Sequence, residues 1–139
     1  MKVSFTIPGQ PVAKGRARIA IRGSHAVAYT PEKTRVYENQ VSAYASQAMQ
    51  GRPLMGGAVC VTMDAHMLVP PSWSKKKRKD ALDGKIWPTS RPDLDNIIKA
   101  VLDGLLRVAI VDDNQVVHLV ARQIYSETPR LTVEIEELQ

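Results

Sequence analysis

The stretch RPDLDNIIKAVLDGLLRVAIVDDNQV, Arg91–Val116, decides how the rest of the chain is read. It holds two tight pairs of carboxylates, Asp93 with Asp95 and Asp112 with Asp113, on either side of one apolar period. Ile97, Ile98, Val101, Leu102, Leu105 and Leu106 recur at helical spacing and predict a buried helix face beginning around Asn96. Asn96, Lys99, Asp103 and Arg107 fall on the opposite side, which puts Lys99 one turn from the helix start. Pro92 disfavours helical backbone at Arg91 and predicts an extended lead-in. Residues i and i+2 of an extended segment share a side, so Asp93 and Asp95 can face one ion. Asp112-Asp113 precede a strand; if that strand lies beside the Asp93–Asp95 segment, the second pair closes the site.

A chain with a formal net charge of +5 has little reason to gather acids here unless something positive binds them. The donor set narrows the cation. His25, His66 and His118 are scattered singly, which argues against structural zinc. An all-carboxylate site suits Mg²⁺ or Mn²⁺. Without a metal, carboxylates this close would repel and one would tend to keep its proton. On spacing alone a plainer alternative stays open. Asp95 or Asn96 would cap the helix, Asp112-Asp113-Asn114 would be a turn, and Lys99–Asp103–Arg107 would be a solvated ion-pair ladder.

Outward from this stretch, the chain reads as one domain, residues 1–139, of the α+β class. Residues 2–7 alternate, with Val3, Phe5 and Ile7 on one side, and Pro8-Gly9 closes that strand. Residues 9–29 show no sustained period and predict a long loop or a loose hairpin. Thr30-Pro31 opens a helix, with threonine as the cap, that runs to about Gln50. Its stripe is Val36, Tyr37, Val41, Tyr44, Ala45 and Ala48, and Gly51 and Pro53 end it. A strand follows over 58–68, then a short basic helix, KKKRKDAL, capped from Ser72-Trp73-Ser74 and ending at Gly84. Strands are predicted at 116–125 and 130–137, the last with Leu131, Val133 and Ile135 inward. The expected architecture is a small mixed sheet of about four strands packed against two main helices plus the short basic helix.

Composition bounds the partners. Hydrophobic residues at 44% and charged residues at 24% fit a soluble globular protein. No apolar run approaches a membrane span, and residues 1–8 alternate where a signal peptide would be continuously apolar. The single cysteine, Cys60, excludes an internal disulfide and suits a reducing cytosol. Lys75, Lys76, Lys77, Arg78 and Lys79 form one basic cluster, and Lys14, Arg16 and Arg18 form another. Each reads as a phosphate-binding patch or as ordinary solvated charge. Trp73 and Trp87 flank the first cluster and can stack on bases or pack internally. No nucleotide-binding glycine loop, nucleophile elbow or zinc-protease motif is present, so no nucleotide cofactor is expected.

PDLDNIIKAVLDGL followed by DDNQV resembles the signature of the RusA family of Holliday junction resolvases. IPGQPVAKGRAR, AYTPEKTRVYE and PPSWSKKKR are similar to that family's N-terminal half, so the resemblance covers nearly the whole chain. It implies a RusA-like fold and a Mg²⁺-dependent endodeoxyribonuclease, Mn²⁺ substituting, that cuts four-way DNA junctions by paired nicks as a homodimer. It also implies a bacterial cytoplasmic protein, encoded by the host or by a phage or prophage. By the same resemblance Asp93, Asp95 and Asp113 are the metal-binding catalytic acids, Asp112 is a supporting acid, and Lys99 acts at the scissile phosphate. Gly104 departs from the family's commoner alanine, at a helix cost of roughly 1 kcal/mol. Two alternatives remain: a nuclease for flaps or forks, and a basic DNA-binding module with no catalysis.

Overall fold

The computed structural model describes residues 1–15 and 18–139. In chain order the elements are β1 (Lys2–Pro8), β2 (Arg18–Arg22), β3 (His25–Tyr29), α1 (Glu32–Met49), β4 (Val59–Leu68), α2 (Lys75–Leu82), α3 (Leu94–Leu105), β5 (Val116–Ser126) and β6 (Arg130–Glu137). Four strands make one mixed sheet in the order β1-β6-β4-β5. β6 pairs antiparallel with both β1 and β4, and β4 pairs parallel with β5. The fold is the α+β arrangement that the sequence predicts. The segment 9–29 contains a hairpin, β2–β3, that stands apart from the main sheet.

Strand alternation sends Val3 and Ile7, then Val59, Val61, Met63 and Ala65, then Leu131, Val133 and Ile135 to one buried face. Helices α1 and α3 cover it with Tyr37, Val41, Ala45 and Met49, and with Ile97, Ala100, Val101 and Leu105. Burying each of the larger aliphatic side chains contributes about 1.5–3 kcal/mol. The opposite sheet face carries Ser4, Thr6, Thr62, Asp64, Thr132 and Glu134 and lines a shallow, mostly polar hollow. Among the described residues no helix is long and apolar enough to cross a membrane.

Several local expectations change. Thr30 does not cap α1; Pro31 occupies the cap position with no side-chain cap bond. The buried face of α1 is Thr34, Tyr37, Val41, Ala45 and Met49, while Val36 is half exposed. Its core stripe is therefore rotated off the predicted one, because only the side toward α3 and the sheet finds a partner. Helix α3 starts at Leu94, two residues before the expected Asn96. Asp93 is its N-cap residue and Asp95 lies in its first turn, so strand alternation does not place these two carboxylates.

Gly104 proves to be a packing requirement. A Cβ there would meet Val41 Cβ at 2.6 Å and the Glu38 carbonyl oxygen at 3.0 Å. The missing side chain lets α1 and α3 approach closely, and Ser42 Oγ donates to the Gly104 carbonyl at 2.6 Å across that contact. The alternative Lys99–Asp103–Arg107 ladder does not form. Arg107 lies beyond the helix with φ 65°, and Asp103 is engaged by Lys14.

Candidate active site

The N-terminal end of α3 carries the first pair of acids. Asp93 and Asp95 are both exposed. Asp93, rather than Asp95 or Asn96, holds the cap position, and its side chain makes no cap hydrogen bond. Asp95 Oδ1 accepts from the neighbouring Asn96 amide at 3.0 Å. Both carboxylates sit where the helix dipole favours negative charge by about 0.3–1 kcal/mol. Lys99 is exposed one turn beyond Asp95, at the i+4 position on the same helix side. Gln123 of β5 holds this end in place, its Nε2 donating to the Pro92 carbonyl at 2.9 Å.

A groove of about 680 Å³ opens beside Asp93, lined by Ala13, Lys14, Gly15, Arg91, Pro92, Asp93 and Asn96. Its far wall is pinned to α3 by two bonds from one residue. The Lys14 amide donates to the Asn96 carbonyl at 2.9 Å, and the Lys14 ammonium bonds Asp103 and reaches Glu38 at 3.3 Å. The Asp103 carboxylate, outweighing partial burial, holds the Lys14 ammonium above its ordinary pKa. Lys14 therefore enters the structure already neutralised by two acids, whatever it does toward DNA. The Gly15 amide donates to Thr34 Oγ1 at 2.8 Å and completes the wall.

The second pair of acids belongs to a tight turn. Asp112 caps the 3₁₀ turn Asp113–Gln115, its carboxylate accepting from the Asn114 amide at 3.1 Å. Gln115 is the hub that sequence reading passed over. Its Oε1 accepts from the Val111 and Asp112 amides at 2.7 and 2.9 Å, and its Nε2 donates to the Met55 and Gly57 carbonyls at 2.8 Å each. An acid at 112 followed by glutamine at 115 is the spacing of a capping box, the signal that could have found it. The Asn114 amide holds the Asp112 carboxyl below the usual range, and a side-chain hydrogen bond with Asp112 pushes Asp113 above it. Each of two adjacent carboxylates makes ionisation of the other less favourable.

The two pairs do not converge within one chain. Asp93 stands beside Gln123, while Asp112 and Asp113 stand where β5 begins at Val116. The twelve residues of α3 separate the ends by about 18 Å. Among the described residues no group of three or more His, Cys, Asp or Glu side chains is gathered closely enough to hold a metal ion. The expectation that the second pair closes the site beside the first is therefore not met within this chain. The reason is topological: α3 runs antiparallel to β5, and the acids bracket both.

Helix α2 is the basic helix that the sequence predicts. Ser74 caps it by accepting from the Lys77 amide at 3.2 Å. Lys75, Lys76, Lys77 and Lys79 are exposed and Arg78 is half-buried. Lys77 lies 4.0 Å above the Trp73 ring, and Trp73 packs edge-on against Tyr125 of β5. Trp73 is thus a packing residue, whereas Trp87 is 56% exposed. Arg16 lies outside the described residues, as does the side chain of Arg18.

Comparison with known proteins adds the family. The uncharacterized protein YqaN of Bacillus subtilis (strain 168) is 37% identical over 138 residues, covering 98% of this chain and 96% of that one. A crossover junction endodeoxyribonuclease rusA of Lactococcus phage r1t is 42% identical over 53 residues, 37% of this chain and 40% of the phage protein. Residues 8–136 match the family described as Endodeoxyribonuclease RusA, and the chain belongs to that family.

Proposed function

We propose that this protein is a Mg²⁺-dependent endonuclease that resolves four-way DNA junctions by paired nicks. It works as a homodimer in which each active site draws acids from both subunits. The observation that carries this reading is the separation of the two acidic pairs along one uncovered sheet edge. Strand β5 is an edge strand, and Val117, Leu119 and Val120 on it are 64%, 39% and 47% exposed. An uncovered edge strand with exposed apolar side chains is a template for pairing with another strand. Antiparallel pairing of two β5 edges about a two-fold axis would set the start of one strand beside the end of the other. Asp113 of the partner subunit would then lie at the end where Gln123 fixes Asp93 and Asp95.

The residues fit a hard cation by chemistry: every donor is a carboxylate, and the neighbouring Asp112 carboxylate that pushes the Asp113 pKa up would be offset by a cation. Asp93, Asp95 and Asp113 would hold the ion, with Asp112 supporting. Bound there, Mg²⁺ supplies Lewis acidity to the attacking water and to the leaving oxygen. Lys99, exposed one turn from Asp95, places positive charge where the phosphate accumulates negative charge. Helix α2 opens with five cations and has no acid in its first turn, an arrangement its dipole disfavours. Phosphates of a junction arm would relieve that repulsion and release counterions. Two active sites related by a two-fold axis match a substrate that needs two symmetric cuts.

The test is cleavage of an end-labelled four-way junction beside a matched linear duplex, with Mg²⁺ and with EDTA. Paired nicks across the branch, absent with EDTA and absent for Asp95→Asn while binding persists, are the expected result. Preferential cutting of flaps or forks would transfer the reading to another branched substrate. Binding without scission in either Mg²⁺ or Mn²⁺ would leave a DNA-binding module.

A further inference from the structure

We infer that the β2–β3 hairpin is a wedge that inserts its aliphatic ridge between base steps at the branch point. This rests on the proposed reading of the protein as a junction nuclease. The hairpin belongs to no larger sheet, and two-stranded hairpins are marginal without a covering layer. Yet Ile19 is 73% exposed and Ile21 81% exposed, the two most exposed large aliphatic side chains in the described structure.

Register explains why they stand clear. Ile19 pairs with Ala28 and Ile21 with Ala26, so two isoleucines rise above small neighbours on one face. On the other face Arg22 pairs with His25 and Ala20 with Val27. Gly23 makes the two-residue turn with φ 64°, a conformation glycine adopts without steric cost. The result is an aliphatic ridge backed by a cationic tip.

Charge selects the occupant. Strand β2 reads RIAIR, with arginine at each end in sequence, on a chain of net charge +5. A second copy docked on this ridge would bring like charges together, whereas DNA neutralises them. Aliphatic side chains that unstack base steps while cations hold the flanking phosphates are a recurring device of DNA-bending proteins. Location agrees with the role. Gly15 and Pro31, which precede β2 and follow β3 in the chain, pack together, and a Gly15 Cβ would come within 3.1 Å of Pro31 Cγ. Gly15 also lines the groove beside Asp93, so the hairpin follows, three residues on in sequence, a residue of the candidate active site's groove.

A four-way junction carrying 2-aminopurine beside the branch point reads unstacking directly, using Asp95→Asn protein to prevent cutting. With the native hairpin, fluorescence rises on binding. The added pair Ile19→Ser and Ile21→Ser is expected to lose that rise while keeping its affinity for linear duplex and its sedimentation coefficient. Ile19→Val with Ile21→Leu is expected to restore the rise. A rise that survives the serine pair overturns the wedge, as does a change of subunit assembly in the serine variant, which would make the ridge an interface between copies. Failure of the native-hairpin protein to prefer the junction over linear duplex overturns the functional reading and the wedge together; preference with no rise overturns the wedge alone.

Discussion

The two ends of α3 carry similar acids and are built in opposite ways. At the N-terminal end Asp93 makes no cap bond and both acids are exposed beside an open groove. At the C-terminal end Asp112 and Asp113 belong to a turn that Gln115 closes through two hydrogen bonds from the Val111 and Asp112 amides and ties to the chain before β4 through two more. Both pairs are exposed, but one lies beside an open groove while the other is hydrogen-bonded into a turn. That division suits a site assembled from two subunits: the turn presents an acid, and the groove end receives it.

The largest effect comes from breaking both ends in different subunits. Asp95→Asn and Asp113→Asn are each expected to abolish cleavage as homodimers. Mixed dimers should regain one intact site, with Asp93 and Asp95 from one subunit and Asp113 from the other. They should therefore nick one strand without resolving the junction. Co-refolded mixtures scored for single nicks read this directly. Continued inactivity of verified mixed dimers would place the whole site within one chain and reject the shared arrangement.

A smaller effect separates the turn from the acid it presents. Gln115→Leu keeps the side chain's bulk but removes the bonds to the Met55 and Gly57 carbonyls and to the two amides. Partners that orient a metal ligand are worth about 10- to 100-fold in affinity or activity. The variant should raise the Mg²⁺ concentration needed for half-maximal cleavage by that factor, with junction binding in EDTA unchanged. An unaltered Mg²⁺ dependence would show that the turn does not fix Asp113 for catalysis.

Much of this fold was legible because apolar periodicity and buried faces coincide. Val59, Val61, Met63 and Ala65 alternate in the sequence and are buried in the sheet, as are Leu131, Val133 and Ile135. Ser74 reads as a cap and acts as one. What periodicity could not supply was which helix faces would meet. Val36 matched the stripe of α1 and is exposed, while Gly104 looked like a flaw in α3 and is the point of closest approach. The acids were visible as residues, but their separation depends on α3 running antiparallel to β5, a long-range fact absent from local spacing. Lys14 looked like loop charge because its partners Glu38 and Asp103 are 24 and 89 residues away in sequence.

Gly104→Ala sharpens the same comparison by disturbing the helix between the two ends. The new methyl would press on Val41 Cβ and the Glu38 carbonyl, and backbone cannot yield as a flexible side chain does. Overpacking of this kind costs about 1–3 kcal/mol, which outweighs the gain of roughly 1 kcal/mol in helix propensity. Urea unfolding should show a lower midpoint with an unchanged slope. A variant as stable as the parent would mean that α1 and α3 can separate freely, and that α3 is a poor ruler between the acids.

The smallest effect tests the strap that touches both ends at once. Lys14 bonds Asn96 near the start of α3 through its amide and Asp103 near the end through its ammonium. The Asp103 carboxylate raises the Lys14 pKa, so folding binds this proton more tightly than the unfolded chain does. The resulting stabilisation is complete below the ordinary lysine pKa and disappears as pH rises through the raised value. Parent protein should lose this contribution at strongly alkaline pH. Lys14→Met should be less stable at pH 8 and should lose less over the same alkaline climb, because the titrating proton is gone. Denaturation at a series of pH values up to 11 measures the difference between the two curves. Curves that stay parallel would show that the ammonium does not tie the groove wall to Asp103, leaving the amide bond to Asn96 as its attachment to α3.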